Sequence, residues 1–600
     1  MTSSRNKAGL LLTLPLFLGL ALPTPFAAAQ GKPLSLVPPP LGQTTEERAA
    51  TGSAAPSVPA ERAPAKNVLE GPGVTGAVVI QSLRNIGPAT VGTLSEADGG
   101  FDSLMWRGTA PTRITSLIRQ LPIPVASPEM QQLYRRLLLS AAIMPDGLQD
   151  PAALLALRLD RLVEAGLVTD AAELLARLPA ADMTPSLERT AIELDLLRGA
   201  DETACQRISS RQVETADNFW AKTDIFCSLA AGNIARADLN LTLLGEAAQD
   251  DPMFVALFDR LAGGKAKLPE NDQPLTFLHI AMMRKADLDV PLSAIENAGY
   301  AFLWALANDE GAPLDERFVA AYRSLGVGSV APELPRGLIR DGAFKSGGDA
   351  AGELGNIAAL YREMTSTTPE AERRRIVSDI WAAGDRDSSY LTAAALAVPP
   401  MLMVSPSDED AAFALNALRV SLITGEVQNA VAWERMIRRG ALKGDFAARE
   451  TSRRLIARSA AYMLISGVPG IARWNAETFD VTDFGQSESA VQNDNAGLYL
   501  AILEALGETV PASLWTDALA IGQPPRTGNA NMVIEKNLVA AAEAGRLGET
   551  VALSLAALGE EGPGMASTPT LYTVLKALTS VGLEASARKL ALEAAVARNL

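Results

Sequence analysis

The chain has 600 residues, and its 69 acidic residues outnumber its 53 basic ones to give a formal net charge of −16. A surface with this charge repels nucleic-acid phosphates, because clustered Lys and Arg are what bind them. The short basic runs Arg373–Arg375 and Arg435–Arg439 lie at helical spacing among apolar residues, so we interpret them as solvated helix faces. We therefore expect no nucleic-acid partner.

The first 29 residues have the pattern of a signal peptide. Arg5 and Lys7 precede the apolar segment Ala8–Leu22, and the small residues Ala27–Ala29 follow it. The apolar segment contains Pro15 and is shorter than the ~20 residues that span a bilayer. We predict cleavage after Ala29 and a periplasmic or secreted mature chain with no stable membrane insertion.

The composition after the signal peptide predicts four further regions. Residues 30–72 are rich in Pro, Ala, Ser and Gly, which is typical of a disordered linker. Residues 73–264 are predicted to form an N-terminal helical repeat region, although the Gly-rich stretch up to Gly100 is ambiguous. Residues 265–400 keep a helical composition without a repeat register, and residues 401–600 form a C-terminal helical repeat region.

Helix start signals are frequent, whereas strand-like alternation is nearly absent, so we predict an all-α fold. A capping side chain accepts a free backbone N–H, and a following proline supplies a preset φ at a position that needs no donor. Seven such pairs occur: Ser127-Pro128, Asp150-Pro151, Thr184-Pro185, Asp251-Pro252, Thr368-Pro369, Ser405-Pro406 and Thr568-Pro569.

Glycines recur at a spacing that fits two helices and two turns. The first series is Gly166, Gly199 and Gly232, and the second is Gly425, Gly467, Gly507, Gly545 and Gly582. In all repeats but one, where Thr550 stands instead, the residue five positions later is alanine: Ala171, Ala204, Ala237, Ala430, Ala472, Ala512 and Ala587. A left-handed glycine would end the first helix, and the alanine would let the second helix approach it closely.

The segments Glu164–Ala171 and Ile423–Ala430 resemble the central turn of a tetratricopeptide repeat. The resemblance implies an α-solenoid of antiparallel helical hairpins, a tetratricopeptide-like superhelix that binds peptides or proteins. The chain departs from the family pattern at Asp195, Ser228 and Ser421, where a tyrosine is usual.

Three tryptophans each stand seven or eight residues after a repeat glycine: Trp433, Trp474 and Trp515. This spacing predicts equivalent positions in the second helices of three successive hairpins. They would form either an aromatic ladder for a bound peptide or the packing between stacked hairpins.

Cys205 and Cys227 are the only cysteines in a chain that we expect in an oxidising compartment. They lie near adjacent ends of neighbouring predicted helices, so we predict a disulfide between them. The alternative is two buried free thiols.

No catalytic, cofactor-binding or metal-binding residue is identifiable, and no cofactor is predicted. His279, the only histidine, lies in an apolar helical stretch, where we interpret it as structural. One histidine and two cysteines are too few for an ordinary zinc site.

These features favour a non-catalytic periplasmic scaffold that binds proteins of the cell envelope. The alternative is a divergent peptidoglycan hydrolase, because Glu488-Ser489 is similar to the catalytic dipeptide of superhelical lytic transglycosylases. Neither a partner's identity nor an oligomeric state follows from the sequence.

Overall fold

The computed structural model of the chain describes residues 87–600, apart from 125–126, 211–217, 270–274, 289–294, 296–297, 346–351, 365–367, 408–409, 441–445, 471–472, 485–494 and 522–530. The described residues belong to one compact unit. The predicted signal peptide and the 30–72 linker lie outside the described residues.

The described part of the chain contains 27 α-helices and no β-strand, which confirms the all-α prediction. Its one pairing of extended backbone is an isolated bridge between Leu94 and Ser140. The helices up to residue 285 are α1 (Pro111–Arg119), α2 (Pro128–Leu139), α3 (Pro151–Glu164), α4 (Val168–Ala176), α5 (Pro185–Leu197), α6 (Asp201–Ser210), α7 (Asn218–Ala230), α8 (Ile234–Leu244), α9 (Glu246–Gln249), α10 (Pro252–Leu261) and α11 (Phe277–Lys285).

The middle helices are α12 (Tyr300–Ala307), α13 (Leu314–Gly326), α14 (Glu333–Asp341), α15 (Gly352–Glu363), α16 (Glu370–Arg386), α17 (Tyr390–Leu396) and α18 (Val398–Leu402). The remaining ones are α19 (Ala411–Ile423), α20 (Val427–Gly440), α21 (Phe446–Ser466), α22 (Asn495–Ala505), α23 (Ala512–Ile521), α24 (Met532–Glu543), α25 (Leu547–Leu558), α26 (Thr568–Ser580) and α27 (Glu584–Ala597).

Four of the seven predicted helix starts have the expected cap. Each cap side chain accepts a hydrogen bond from the backbone N–H three residues later in the chain. These caps are Ser127, Asp150, Thr184 and Asp251. The other three differ, because another residue takes the capping position: Pro369 precedes α16, Asp410 caps α19, and Ser567 caps α26.

All eight repeat glycines have a left-handed backbone, with φ between 65° and 95°, as predicted. Of the seven alanines, five are fully buried: Ala171, Ala204, Ala237, Ala430 and Ala587. Ala472 lies outside the described residues. Ala512 is exposed, because Val510-Pro511 delays the start of α23. No helix follows Gly467 among the described residues up to Asp480, so the hairpin pattern is interrupted there.

Successive helices pack as pairs, among them α3 with α4, α5 with α6, α7 with α8, α19 with α20, α24 with α25, and α26 with α27. Helices that are far apart in the sequence also pack against each other. Helix α5 packs on α11, α1 packs on α25, and α2 packs on both α25 and α27. The first helices of the described chain therefore contact its last two hairpins.

Buried side chains hold this junction between the first helices and the last hairpins. Trp106 lies directly against Gly548, where an added β-carbon would be 2.8 Å from the indole ring. The Gly548 N–H donates to the Met105 carbonyl at 2.8 Å. The buried Glu549 carboxylate accepts hydrogen bonds from Thr109 and from two guanidinium groups, those of Arg113 and Arg546.

Candidate functional site

A cleft of about 680 Å³ separates the middle helices from the last hairpin. Helices α16, α17 and α19 form one wall, and the 561–565 loop with α27 forms the other. Its volume lies within the range of about 300–1,000 Å³ that is usual for ligand-binding clefts. A second cavity of about 250 Å³ adjoins it at Ser388.

The helical wall of the cleft is partly aromatic. Trp381, only 2% exposed, stacks on Phe413 with ring centroids 5.4 Å apart, and Phe413 in turn contacts Trp433. Among the described residues the indole N–H of Trp381 has no hydrogen-bond acceptor. Tyr390 also lines this wall and is partly exposed.

The exposed charges among the described residues that line the cleft are negative. Asp385 on α16 and Glu561 in the opposite loop are exposed, and neither carboxylate forms an ion pair with a described residue. Arg419 also lines the cleft, but its guanidinium donates to Asn416 Oδ1 at 3.2 Å and to the Leu600 carbonyl at 3.0 Å. The cleft is therefore suited to a cationic group.

Glu593 lies on the α27 side of the cleft and is buried. It accepts hydrogen bonds from Ser127 Oγ at 2.6 Å and from the Glu129 backbone N–H at 2.8 Å, so it caps α2 from another part of the chain. The nearby Glu129 carboxylate is paired with Lys589 at 3.1 Å. Burial raises the pKa of Glu593 to about 7, because desolvation outweighs the hydrogen bonds.

Because this pKa is raised above its ordinary value of 4.5, Glu593 favours the folded state only while it is protonated. The favourable contribution is complete below about pH 4.5 and is lost as the pH rises through about 7. We expect this loss to be about 3 kcal/mol between about pH 4 and pH 8. Glu593→Gln is neutral throughout and keeps an oxygen for the Glu129 N–H.

The difference in unfolding free energy between wild type and Glu593→Gln, measured by urea denaturation across this pH range, should therefore change by that amount. Parallel pH profiles for the two proteins would contradict the assignment.

Cys205 on α6 and Cys227 on α7 form the predicted disulfide, with Cα atoms 5.5 Å apart. The bridge joins one helical hairpin to the next, outside the cleft.

The three tryptophans do not occupy equivalent positions. Trp433 is buried in α20 and Trp515 is half-buried in α23, but Trp474 lies in a non-helical segment. There its indole N–H donates to the Thr509 carbonyl at 2.8 Å, and its ring packs near Phe479 and Tyr499. The interrupted hairpin after Gly467 explains the difference.

His279 is used in helix capping. Its Nδ1 accepts the Thr276 backbone N–H at 3.3 Å, so Nε2 carries the proton and donates to Asp251 at 3.0 Å. Lys222 also donates to Asp251, and that carboxylate caps α10. Burial lowers the pKa of His279, which favours the neutral ring.

Glu488 and Ser489, which carry the resemblance to lytic transglycosylases, lie outside the described residues. Within the described ranges, no three or more His, Cys, Asp or Glu side chains are grouped so that they could hold a metal ion. None of the described helices has the length and apolarity that a membrane span requires.

Trp381, Asp385 and Glu561 were not predicted from the sequence. The first two lie in the middle region without repeat register, and the third lies in a Gly- and Pro-rich loop between α25 and α26. No family model, curated protein or solved structure matches the chain.

Proposed function

We propose that the chain is an exported, non-catalytic scaffold that binds other cell-envelope proteins. Its helical hairpins would form a tetratricopeptide-like superhelix, and the cleft between the middle helices and the last hairpin would receive part of the partner. The observation that carries this proposal is the cleft itself, which has a partly aromatic wall and two exposed carboxylates without ion-pair partners among the described residues.

The repeat architecture is supported by the left-handed glycines and the buried alanines that follow them. Stacked helical hairpins present large surfaces to other proteins.

A periplasmic or secreted location is supported by two independent features. The N-terminal 29 residues have the pattern of a signal peptide. A disulfide between Cys205 and Cys227 is typical of proteins that fold in an oxidising compartment.

The proposal is tested by affinity capture from envelope extracts of the source cells with the immobilised mature chain. We compare wild type with the cleft pair, Asp385→Asn together with Glu561→Gln. The control pair, Asp238→Asn together with Glu543→Gln, changes the net charge equally at exposed carboxylates outside the cleft. We expect wild type and the control pair to retain the same protein, and the cleft pair to lose it.

The failure of all three proteins to retain a specific partner would contradict the scaffold proposal. Release of soluble muropeptides from peptidoglycan by the wild type, abolished in Glu488→Gln, would favour the hydrolase alternative.

A further inference from the structure

We infer that the cleft takes an extended, Lys- or Arg-bearing segment of a partner protein, with Asp385 and Glu561 as its charge contacts. This inference rests on the proposed scaffold function and specifies the chemistry of the ligand.

The sign of the ligand's charge follows from the cleft's lining. Asp385 and Glu561 come from opposite walls, and both carboxylates are exposed without an ion-pair partner in the described part of the chain. Arg419 is the one basic side chain among the described lining residues; it is only 6% exposed, and it donates to Asn416 Oδ1 and to the Leu600 carbonyl. Its guanidinium also lies 4.8 Å from the centre of the Tyr462 ring. The exposed charges among the described lining residues are therefore negative, so the cleft attracts a cation more strongly than an anion.

The apolar part of the lining fits the aliphatic stem of Lys or Arg. Tyr390 is partly exposed in one wall, and Met565 in the opposite loop is 61% exposed. The methylene groups of a long basic side chain pack on such surfaces while the charged end reaches a carboxylate. An aromatic face adds a favourable cation–π contact.

The size and polar groups of the cleft suit a peptide backbone. Its volume is about 680 Å³, so several residues of an extended chain can be accommodated. Ser388 and Asn599 are exposed polar side chains in the lining, and both can bond to peptide amides.

The test uses fluorescein-labelled octapeptides and the folded mature chain. One peptide alternates Ala with Lys, a second alternates Ala with Gln, and a third alternates Ala with Glu. Binding is measured by fluorescence anisotropy, with the cleft pair and the control pair defined above. We expect the Lys peptide alone to bind, the cleft pair to weaken it by about tenfold or more, and the control pair to change its affinity by less than about twofold.

Equal weakening by the two pairs would show non-specific attraction to an acidic protein and would overturn the inference. The same holds if the Lys peptide does not bind, or if the Gln peptide binds equally well. Circular dichroism melting of both pairs excludes unfolding as the cause, since all four side chains are exposed.

This inference and the scaffold proposal fail in different ways. A specific partner that the cleft pair still retains would refute the inference and leave the scaffold function standing. Selective binding of the Lys peptide without any captured partner would support the inference about the cleft and contradict the scaffold function.

Discussion

Trp106→Ala is expected to lower the free energy of unfolding by about 3–5 kcal/mol, the range typical of removing a buried aromatic side chain. Trp106 is only 1% exposed, and its ring fills the space above Gly548. The surrounding junction is held by the Glu549 hydrogen bonds, so it has little freedom to collapse into the cavity. Urea denaturation followed by circular dichroism measures the effect.

The matched control is Trp515→Ala, because Trp515 is a half-buried indole and its loss should cost clearly less. If both variants lose the same stability, Trp106 is not a principal contact between the first helices and the last hairpins. Limited proteolysis gives a local readout, since cleavage near residue 106 should become faster in Trp106→Ala alone.

The double variant Cys205→Ala/Cys227→Ala is expected to be less stable than the oxidised wild type by roughly 3 kcal/mol. The bridge closes a loop with a sequence separation of 22, and it thereby restricts the unfolded chain. The measurement is chemical denaturation with and without a thiol reductant. The reductant should lower the stability of the wild type and leave the double variant unchanged.

Two outcomes would contradict the disulfide's role. One is an equal stability of oxidised wild type and double variant. The other is the recovery of two alkylatable thiols from protein isolated under non-reducing conditions.

Local features of the fold were predictable from the sequence, because they depend on neighbouring residues. The glycine turns, the buried alanines after them and four of the seven proline-associated caps follow from backbone preferences at single positions. The disulfide was also predictable, since Cys205 and Cys227 lie on consecutive helices.

Contacts between distant parts of the chain were not predictable in the same way. Nothing in the repeat spacing indicates that Trp106 meets Gly548, or that Glu593 caps the start of α2. The cleft arises from this long-range packing, so Asp385 and Glu561 carry no local signal of their shared surroundings. The three tryptophans differ in position for a local reason. Trp474 was expected in a helix, but its segment is not helical.

The central claim, that the cleft binds a segment of a partner protein, is tested most directly by site-specific photocrosslinking in cells. A benzophenone amino acid replaces Met565 at the cleft, and a second variant carries it at Leu243, which is 75% exposed on α8 outside the cleft. We predict that the probe at position 565 crosslinks to one envelope protein, at a segment containing Lys or Arg, and that the probe at 243 does not. Crosslinks to the same protein from both positions, or none from 565, would contradict the account.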